Sequence, residues 1–452
     1  MSRVVEIPSD CNIPALHEMN DRSRLAEALR QYMGAKFHEQ GQRIAGCRIK
    51  RIYYKSGGRC RLSLKAKICD HDGNELGEQL YYGCLYEAGQ GRAVFERARR
   101  QELLQPEFGD PLGFIPEWET VLWAYPNDPS VSGIATLMNP EKVFKLVAAQ
   151  PERFGIQNGH RPQAIAARLA KYVPGKRCAY FFDLTLEEKS DRAVKPHTVF
   201  GKTYTTEEGA EAFAIMSQIW QTEACQSRAF RMPQPYSYDG ERNILWQEAL
   251  NGQALAKIAG EVDLAEAAKQ AGAELAAFHG CGANLPVKMT GAFVREELRS
   301  ALAAVGTSLP QHAEAYARVH HKLMAAYPAL PPAVLTPVHG SFKLSHIFHT
   351  GREIAFIDFD GANQGDPCYD LGRFLAALHR IQFESVIAAA TARRAAENFC
   401  AAYHRAAKFA APQKRIDWFT AAHVLGSEIY KTVKSLIPGE VEQLLKIAEA
   451  II

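Results

Sequence analysis

The chain has 452 residues, 47% hydrophobic and 23% charged, and a formal net charge of +3. Such totals fit a soluble globular protein of two or three domains, and the charge is too mild for a nucleic-acid partner, which calls for clustered basic stripes. The ten cysteines are scattered without a CxxC pair, MSRVVEIPSD lacks the apolar core of a signal peptide, and no apolar run spans a membrane. The expectation is a cytoplasmic protein with reduced thiols, no structural zinc and no membrane partner.

Taken in chain order, the first signal is an internal repeat. YKSGGRC at Tyr54–Cys60 resembles YVPGKRC at Tyr172–Cys178, a shift of 118 residues. The same shift carries GCLY at Gly83–Tyr86 onto GKTY at Gly201–Tyr204, Gly91 onto Gly209 and Phe95 onto Phe213. TVLW at Thr120–Trp123 resembles NILW at Asn243–Trp246 after a shift of 123. Each copy reads as a turn, a strand (RLSLKAKI; AYFFDLTL), a polar hairpin loop (CDHDGNELGE; EEKSDRAVKP) and a second strand (LYYGCLYE; HTVFGKTY). A helix (RAVFERARRQELL; EEGAEAFAIMSQIW) and a last strand ending in Trp follow. The alternation and the Gly, Asp and Lys turn residues predict antiparallel strands. Cys60 and Cys178 occupy equivalent positions and read as buried small hydrophobes. RARRQ at Arg97–Gln101 reads as a solvated helix face.

After Trp246 the pattern turns helical. Asp263 and Glu266 open a capping-box-like start and Gly280 closes that helix. VREELRSALAAV, QHAEAYARVHHKLMAAY, the stretch Glu384–Ala411 and the closing VEQLLKIAEAII also read as helices, the last packing on the helical half.

The chemistry sits in VHGSFKLSHIFHTGREIAFIDFDGANQGDPCYDLGRF, Val338–Phe374. EIAFIDFDG reads as a strand with Asp358 and Asp360 near its end. Carboxylates at i and i+2 on a strand share a face and repel unless a cation lies between them. Hard oxygen donors there suit Mg²⁺; a strand ending in a polar Asp360–Gly361 turn is the plain alternative. Asp366 before Pro367 is a natural helix N-cap with Pro at N1, and Asp370 lies one turn on. His346 and His349 have a metal-like spacing, although a strand's polar face explains them as well.

HGSFKLSH, IDFD and GDPCYDLG resemble, in order, the H-G-D-x-x-x-x-N, I-D-[FWY]-[DE] and G-D-P-x-x-D-[LI] motifs of the aminoglycoside phosphotransferase and choline kinase family. The resemblance covers roughly Ala170 to Leu378. It implies an α+β, bilobal protein-kinase-like fold, with a small antiparallel-sheet N-lobe and a mostly helical C-lobe. The expected units are a degenerate N-lobe-like repeat over 1–150, an N-lobe over 151–250 and a C-lobe over 251–452. Maltokinase-like members also carry an additional N-terminal cap domain.

What the resemblance implies for the site follows residue by residue. Lys202 matches the strand lysine that pairs with nucleotide phosphates, Glu211 its acidic partner (Glu207 and Glu208 being alternatives), and Lys176 and Arg177 in PGKRC the phosphate-covering loop. Gln247, Glu248 and Ala249 match the hinge facing adenine. Asp358 and Asp360 match metal ligands, with His346 at the position of a second-metal Asn. The implied cofactors are ATP and Mg²⁺, and the partner is a small-molecule hydroxyl acceptor. The chain departs from the family where Ser341 replaces the catalytic aspartate, because a neutral serine is no general base unaided. Lys343 lies where protein kinases keep a catalytic-loop lysine, and Asp360 or His346 are candidate replacements for the lost base. Cys84 stands at the position of Lys202 in the first copy, so no ammonium is available there. Three readings stay open: a small-molecule kinase with rerouted base chemistry, a pseudokinase that binds nucleotide or a partner, and an enzyme of different metal chemistry such as nucleotidyl transfer.

Overall fold

The computed structural model describes residues 13, 15, 18, 21–53, 60–157, 159–188, 190, 192–351, 353–383, 386–431 and 441–452. The first-copy turn at 54–59 lies outside them. The described N-terminal half holds two five-stranded antiparallel sheets. Helix Arg22–Glu39 leads into β1 (Gln42–Tyr53), β2 (Cys60–Asp70), β3 (Glu75–Leu85), helix Gln90–Ala98, β4 (Leu112–Ile115) and β5 (Thr120–Ala124). Helix Pro140–Ala149 leads into β6 (His160–Val173), β7 (Arg177–Glu188), β8 (Val194–Tyr204), helix Glu208–Trp220, β9 (Pro235–Asp239) and β10 (Ile244–Glu248). Strand order is β1-β2-β3-β5-β4 in one sheet and β6-β7-β8-β10-β9 in the other.

Alternation along these strands puts one face of each sheet on its leading helix. Leu62, Leu64 and Leu122 pack with Leu25, Leu29 and Met33 of the first helix. Phe182, Leu184 and Trp246 pack with Val143 and Val147 of the second. A glycine on the third strand lets the neighbouring side chain lie flat. A Cβ on Gly83 would meet Leu62 and Leu122 at 2.8 and 3.0 Å, and one on Gly201 would meet Trp246 at 2.6 Å. Val131, Ile134 and Leu137 pack in this second core as well.

The pairing corrects the Trp correspondence. Trp246 lies opposite Gly201, whereas Trp123 lies opposite Tyr82 and Leu122 opposite Gly83. Leu122 is thus the counterpart of Trp246. A slip of one residue moves a side chain to the other face of a sheet, so Trp123 stacks on Tyr82 at 5.4 Å beside Cys84, away from the leading helix.

The remainder is mostly helical. Helices Leu264–His279, Gly291–Ser308, Ala313–Ala326, Pro367–Phe383, Ala389–Ala406, Gln413–His423 and Val441–Ile451 share one core with two short three-stranded sheets. The helix expected over Glu384–Ala411 is confined to Ala389–Ala406, with 384 and 385 outside the described residues. Asp263 caps its helix, accepting from the amides of Ala265 and Glu266. Among the described residues no helix is long and apolar enough to cross a membrane.

Candidate functional site

The site lies where β7, β8 and β10 face the helical half. Its cleft, about 180 Å³, is lined by Ala179, Phe181, Phe200, Met216, Leu250 and Ile357 on its apolar side. Lys202, Arg177, Asp358 and Asp360 line its polar end, and Gln247, Glu248 and Ala249 its edge. Glu248 is fixed in place: it accepts from Arg231 Nη2 at 2.7 Å and from the Gln234 amide at 3.1 Å.

The two carboxylates reach the cleft by a route the strand pattern did not indicate. The strand ends at Phe356, Asp358 is left-handed with φ 68°, and Phe359–Gly361 form a 3₁₀ turn. Their convergence therefore comes from a strained turn, not from a shared strand face. Lys202 Nζ donates to Asp358 Oδ1 at 2.8 Å and to Asp360 Oδ2 at 2.5 Å. Arg177 Nη1 reaches the same two carboxylates at 3.2 Å each, and Tyr204 Oη donates to Asp360 Oδ1 at 3.0 Å. Two anions are balanced by two cations. Burial alone would raise the Asp358 carboxyl; the Lys202 and Arg177 cations outweigh it and hold the group well below its ordinary range. Burial, then Asp360, pushes the Tyr204 phenol up.

Sequence reasoning placed Arg177 only in a covering loop and missed Tyr204. Glu211, expected to pair with Lys202, is exposed on its helix, and Lys202 takes Asp358 and Asp360 instead. Lys176 is exposed and lies over the Tyr53 ring at 4.8 Å, away from the cleft's polar end.

The HGS segment is anchored from behind. Asp370 Oδ2 accepts from the His339 amide at 2.5 Å and Oδ1 from the Gly340 amide at 3.0 Å, while His279 Nε2 lies 3.1 Å away. Gly340 has φ 73°, and a Cβ there would meet the Gly361 carbonyl at 2.2 Å, so the loop admits only glycine. Asp366 caps helix Pro367–Phe383 through the Cys368 amide at 3.0 Å and holds Arg415 Nε at 2.6 Å. The GDPCYD motif is thus a scaffold: one aspartate starts the helix and the other ties down the loop.

Ser341 Oγ lies 3.2 Å from both His339 Nδ1 and His346 Nδ1. His339 Nε2 lies 3.0 Å from the Ile357 carbonyl and His346 Nε2 3.4 Å from Asp358 Oδ2. Each Nε2 therefore carries the proton, and two Nδ1 lone pairs face one hydroxyl. Burial and then the Lys343 charge pull the His346 imidazole well below its ordinary range, keeping it neutral. His346 thus presents Nδ1 to Ser341 and Nε2 to Asp358. His349 Nδ1 accepts from the Gly351 amide at 3.3 Å. Among the described residues no group of three His, Cys, Asp or Glu side chains has the arrangement of a metal site. The convergence of one oxygen from Asp358 and one from Asp360 on a single ammonium nevertheless marks a point where hard oxygens meet a cation, and that donor pair fits Mg²⁺ completed by phosphates and water.

Residues 198–415 match the model of the family described as the phosphotransferase enzyme family, APH. This segment, a little under half of the chain, resembles that family. No curated protein matches the chain by sequence. Among solved structures, a choline/ethanolamine kinase family protein from Mesorhizobium loti is similar at 16% identity, over 60% of this chain and 84% of that one, with a TM-score of 0.41. A spectinomycin phosphotransferase in complex with ADP and spectinomycin is similar at 12% identity, over 69% and 94%, with a TM-score of 0.43. A glucosamine kinase is similar at 16% identity, over 94% and 96%, with a TM-score of 0.42. Within the phosphotransferase segment lie Lys202, Ser341, Lys343, His346, Asp358 and Asp360; Arg177 lies before it.

Proposed function

We propose that this protein is a phosphotransferase that uses ATP and Mg²⁺ and acts on a hydroxyl of a small molecule. The observation that carries the reading is the meeting of Lys202 with Asp358 and Asp360, which are 156 and 158 residues away in the chain. Adenine would lie in the apolar cleft against Gln247–Ala249. Nucleotide phosphates would compete with the two carboxylates for Lys202 and Arg177. Asp358 and Asp360 would hold Mg²⁺, which supplies charge neutralisation at the transferring phosphoryl group. In the reaction the acceptor oxygen would bond the terminal phosphorus, the bond to the ADP oxygen would break, and the hydroxyl proton would pass to solvent water. Ser341, flanked by two neutral imidazoles, would orient that hydroxyl rather than deprotonate it outright. Because positioning and electrostatics carry most of phosphoryl transfer, loss of the carboxylate base slows the step without abolishing it.

The first sheet is proposed to be a second, degenerate N-lobe-like unit with Cys84 where β8 has Lys202. The matching strand orders support this. The second sheet, joined by helix Pro140–Ala149, then forms the N-lobe and residues 251–452 the C-lobe. The described cysteines are thiols rather than disulfides, which suits a reducing cytoplasm. Ser341 favours a second reading, a pseudokinase that binds nucleotide and transfers nothing.

The test is thermal stability with and without Mg²⁺ and ATP, on the wild type and on Asp358→Asn. Nucleotide at about a hundred times its Kd stabilises by roughly 2.7 kcal/mol. The expected result is a Mg²⁺-dependent upshift that the substitution removes. No shift with any nucleotide would reject both readings, and a shift without ADP release from any acceptor would leave the pseudokinase.

A further inference from the structure

Ser341 is equipped for more than holding an acceptor. Its half-buried Oγ meets two ring nitrogens, His339 Nδ1 and His346 Nδ1, each at 3.2 Å. Each ring turns its N–H the other way, His339 Nε2 toward the Ile357 carbonyl at 3.0 Å and His346 Nε2 toward Asp358 Oδ2 at 3.4 Å. A serine hydroxyl has one proton and can give it to only one of these lone pairs at a time. Ser341 therefore has a base at hydrogen-bond distance whichever way its proton turns, which is what activates a serine as a nucleophile.

The two imidazoles are not equivalent. His339 is fully buried, and its N–H rests on an uncharged carbonyl. His346 aims its N–H at a carboxylate, so that an imidazolium formed there is stabilised. Hydroxyl, imidazole and carboxylate thus stand in a row as nucleophile, base and orienting group, an arrangement recognised by geometry rather than by fold. The two oxygens of Asp358 divide the work. Oδ1 takes Lys202 at 2.8 Å, while Oδ2 faces His346 and, at 3.4 Å, Arg177 Nη2. His346 lines the same cleft as Lys202, Asp358 and Asp360, so a single imidazole separates Ser341 from the polar end of that cleft.

We propose that Ser341 is a phosphoryl acceptor in its own right, and that the protein phosphorylates it in cis from its own bound ATP. This rests on the phosphotransferase reading and adds a modification site to it. Ser341 Oγ bonds the terminal phosphorus, and the bond from that phosphorus to the bridging oxygen breaks. ADP leaves with the electron pair of that bond. The hydroxyl proton passes to His346 Nδ1 and from there to water. Mg²⁺ and ATP are the sole co-reactants. The same departure from the family motif that removes a carboxylate base installs a hydroxyl acceptor.

The experiment incubates the full chain with Mg²⁺ and ATP labelled in the terminal phosphoryl group, with no small-molecule acceptor added. Incorporation is followed by intact mass and located by peptide mapping, and the nucleotide upshift in melting temperature is measured on the same samples. The expected result is an acid-stable label on Ser341, approaching a single phosphoryl group per chain, at a rate independent of protein concentration. Ser341→Ala should abolish it. His346→Gln should slow it by about 10²–10⁴-fold, as loss of a general base does. Where His346→Gln fails to fold, Ser341→Ala, which removes a single oxygen, still decides the site. The proposal is overturned by label that persists in Ser341→Ala, by label on Ser345, which also lines the cleft, or by an acid-labile label, which a phosphohistidine or an acyl phosphate would give. A rate that climbs with protein concentration, or a nucleotide upshift with no incorporation, overturns it equally. Absence of any nucleotide upshift rejects the phosphotransferase reading and this proposal with it.

Discussion

Lys202 Nζ and Asp358 Oδ1 lie 2.8 Å apart across 156 residues of chain, and the two halves of the molecule meet at that contact. Lys202 is 7% exposed, and its ammonium donates to carboxylate partners. Lys202→Met leaves Asp358 and Asp360 to Arg177, with Tyr204 still on Asp360 and His346 beside Asp358. Stability should fall by about 1–3 kcal/mol, less than for a fully orphaned buried charge because Arg177 remains. The nucleotide-dependent rise in melting temperature should vanish. Urea unfolding and a nucleotide titration check both.

Ser341→Asp restores a carboxylate beside the expected acceptor. Turnover should rise, by up to about 10²–10⁴-fold where proton transfer limits the rate. Steady-state ADP release measures it. A drop in turnover with nucleotide binding intact would mean that the two Nδ1 lone pairs facing Ser341 exclude a second acceptor, and that this site works only with a hydroxyl.

The tip between β6 and β7 is held by the first unit. Asp128 Oδ2 accepts from the Gly175 amide at 2.7 Å and from Tyr172 Oη at 2.8 Å, and Arg61 Nη1 donates to the Gly175 carbonyl at 3.1 Å. Arg177 follows two residues later on the same hairpin. Asp128→Asn should cost about 1–3 kcal/mol through weakened buried hydrogen bonds. It should also raise the KM for nucleotide several-fold, on the order of 1 kcal/mol, while kcat stays within about twofold. Equal losses in kcat and KM would contradict a positioning role.

Lys343 makes the ligand-free protein pH-sensitive in a defined direction. Its folded value of about 8 lies below the ordinary 10.5. Below pH 8 both folded and unfolded chains carry the proton, and the folded state bears the full cost of a buried ammonium. Between about 8 and 10.5 the unfolded chain binds more protons, so this contribution makes stability rise with pH. Lys343→Met should therefore stabilise the ligand-free protein by about 3 kcal/mol at pH 7, an advantage that shrinks as pH rises through that window. Melting curves of both proteins from pH 7 to 10.5 test it.

The order of HGS, IDFD and GDPCYDLG, the repeated strand–loop–strand–helix pattern and the lysine in VFGKTY were legible because each is a local matter. A cap residue, a turn glycine or a two-residue alternation is written in neighbouring positions. Asp358 and Asp360 were singled out on that ground, whereas Lys202, and Cys84 as the missing lysine of the first sheet, came from the resemblance to the phosphotransferase family. What alternation along a chain could not supply is which cation meets which carboxylate. Glu211 was the nearer candidate in sequence, yet Lys202 on β8 faces the opposite lobe, and the left-handed Asp358 turns both aspartates toward it. Arg177, Tyr204 and the Arg380–Glu428 pair carry no local signature, since these partners lie 48 to 183 residues away. The pairing of charges is a property of tertiary distance. An ion pair forms only where the backbone brings two groups within about 4 Å, and burial of the uncharged surroundings decides how strongly each pair is felt.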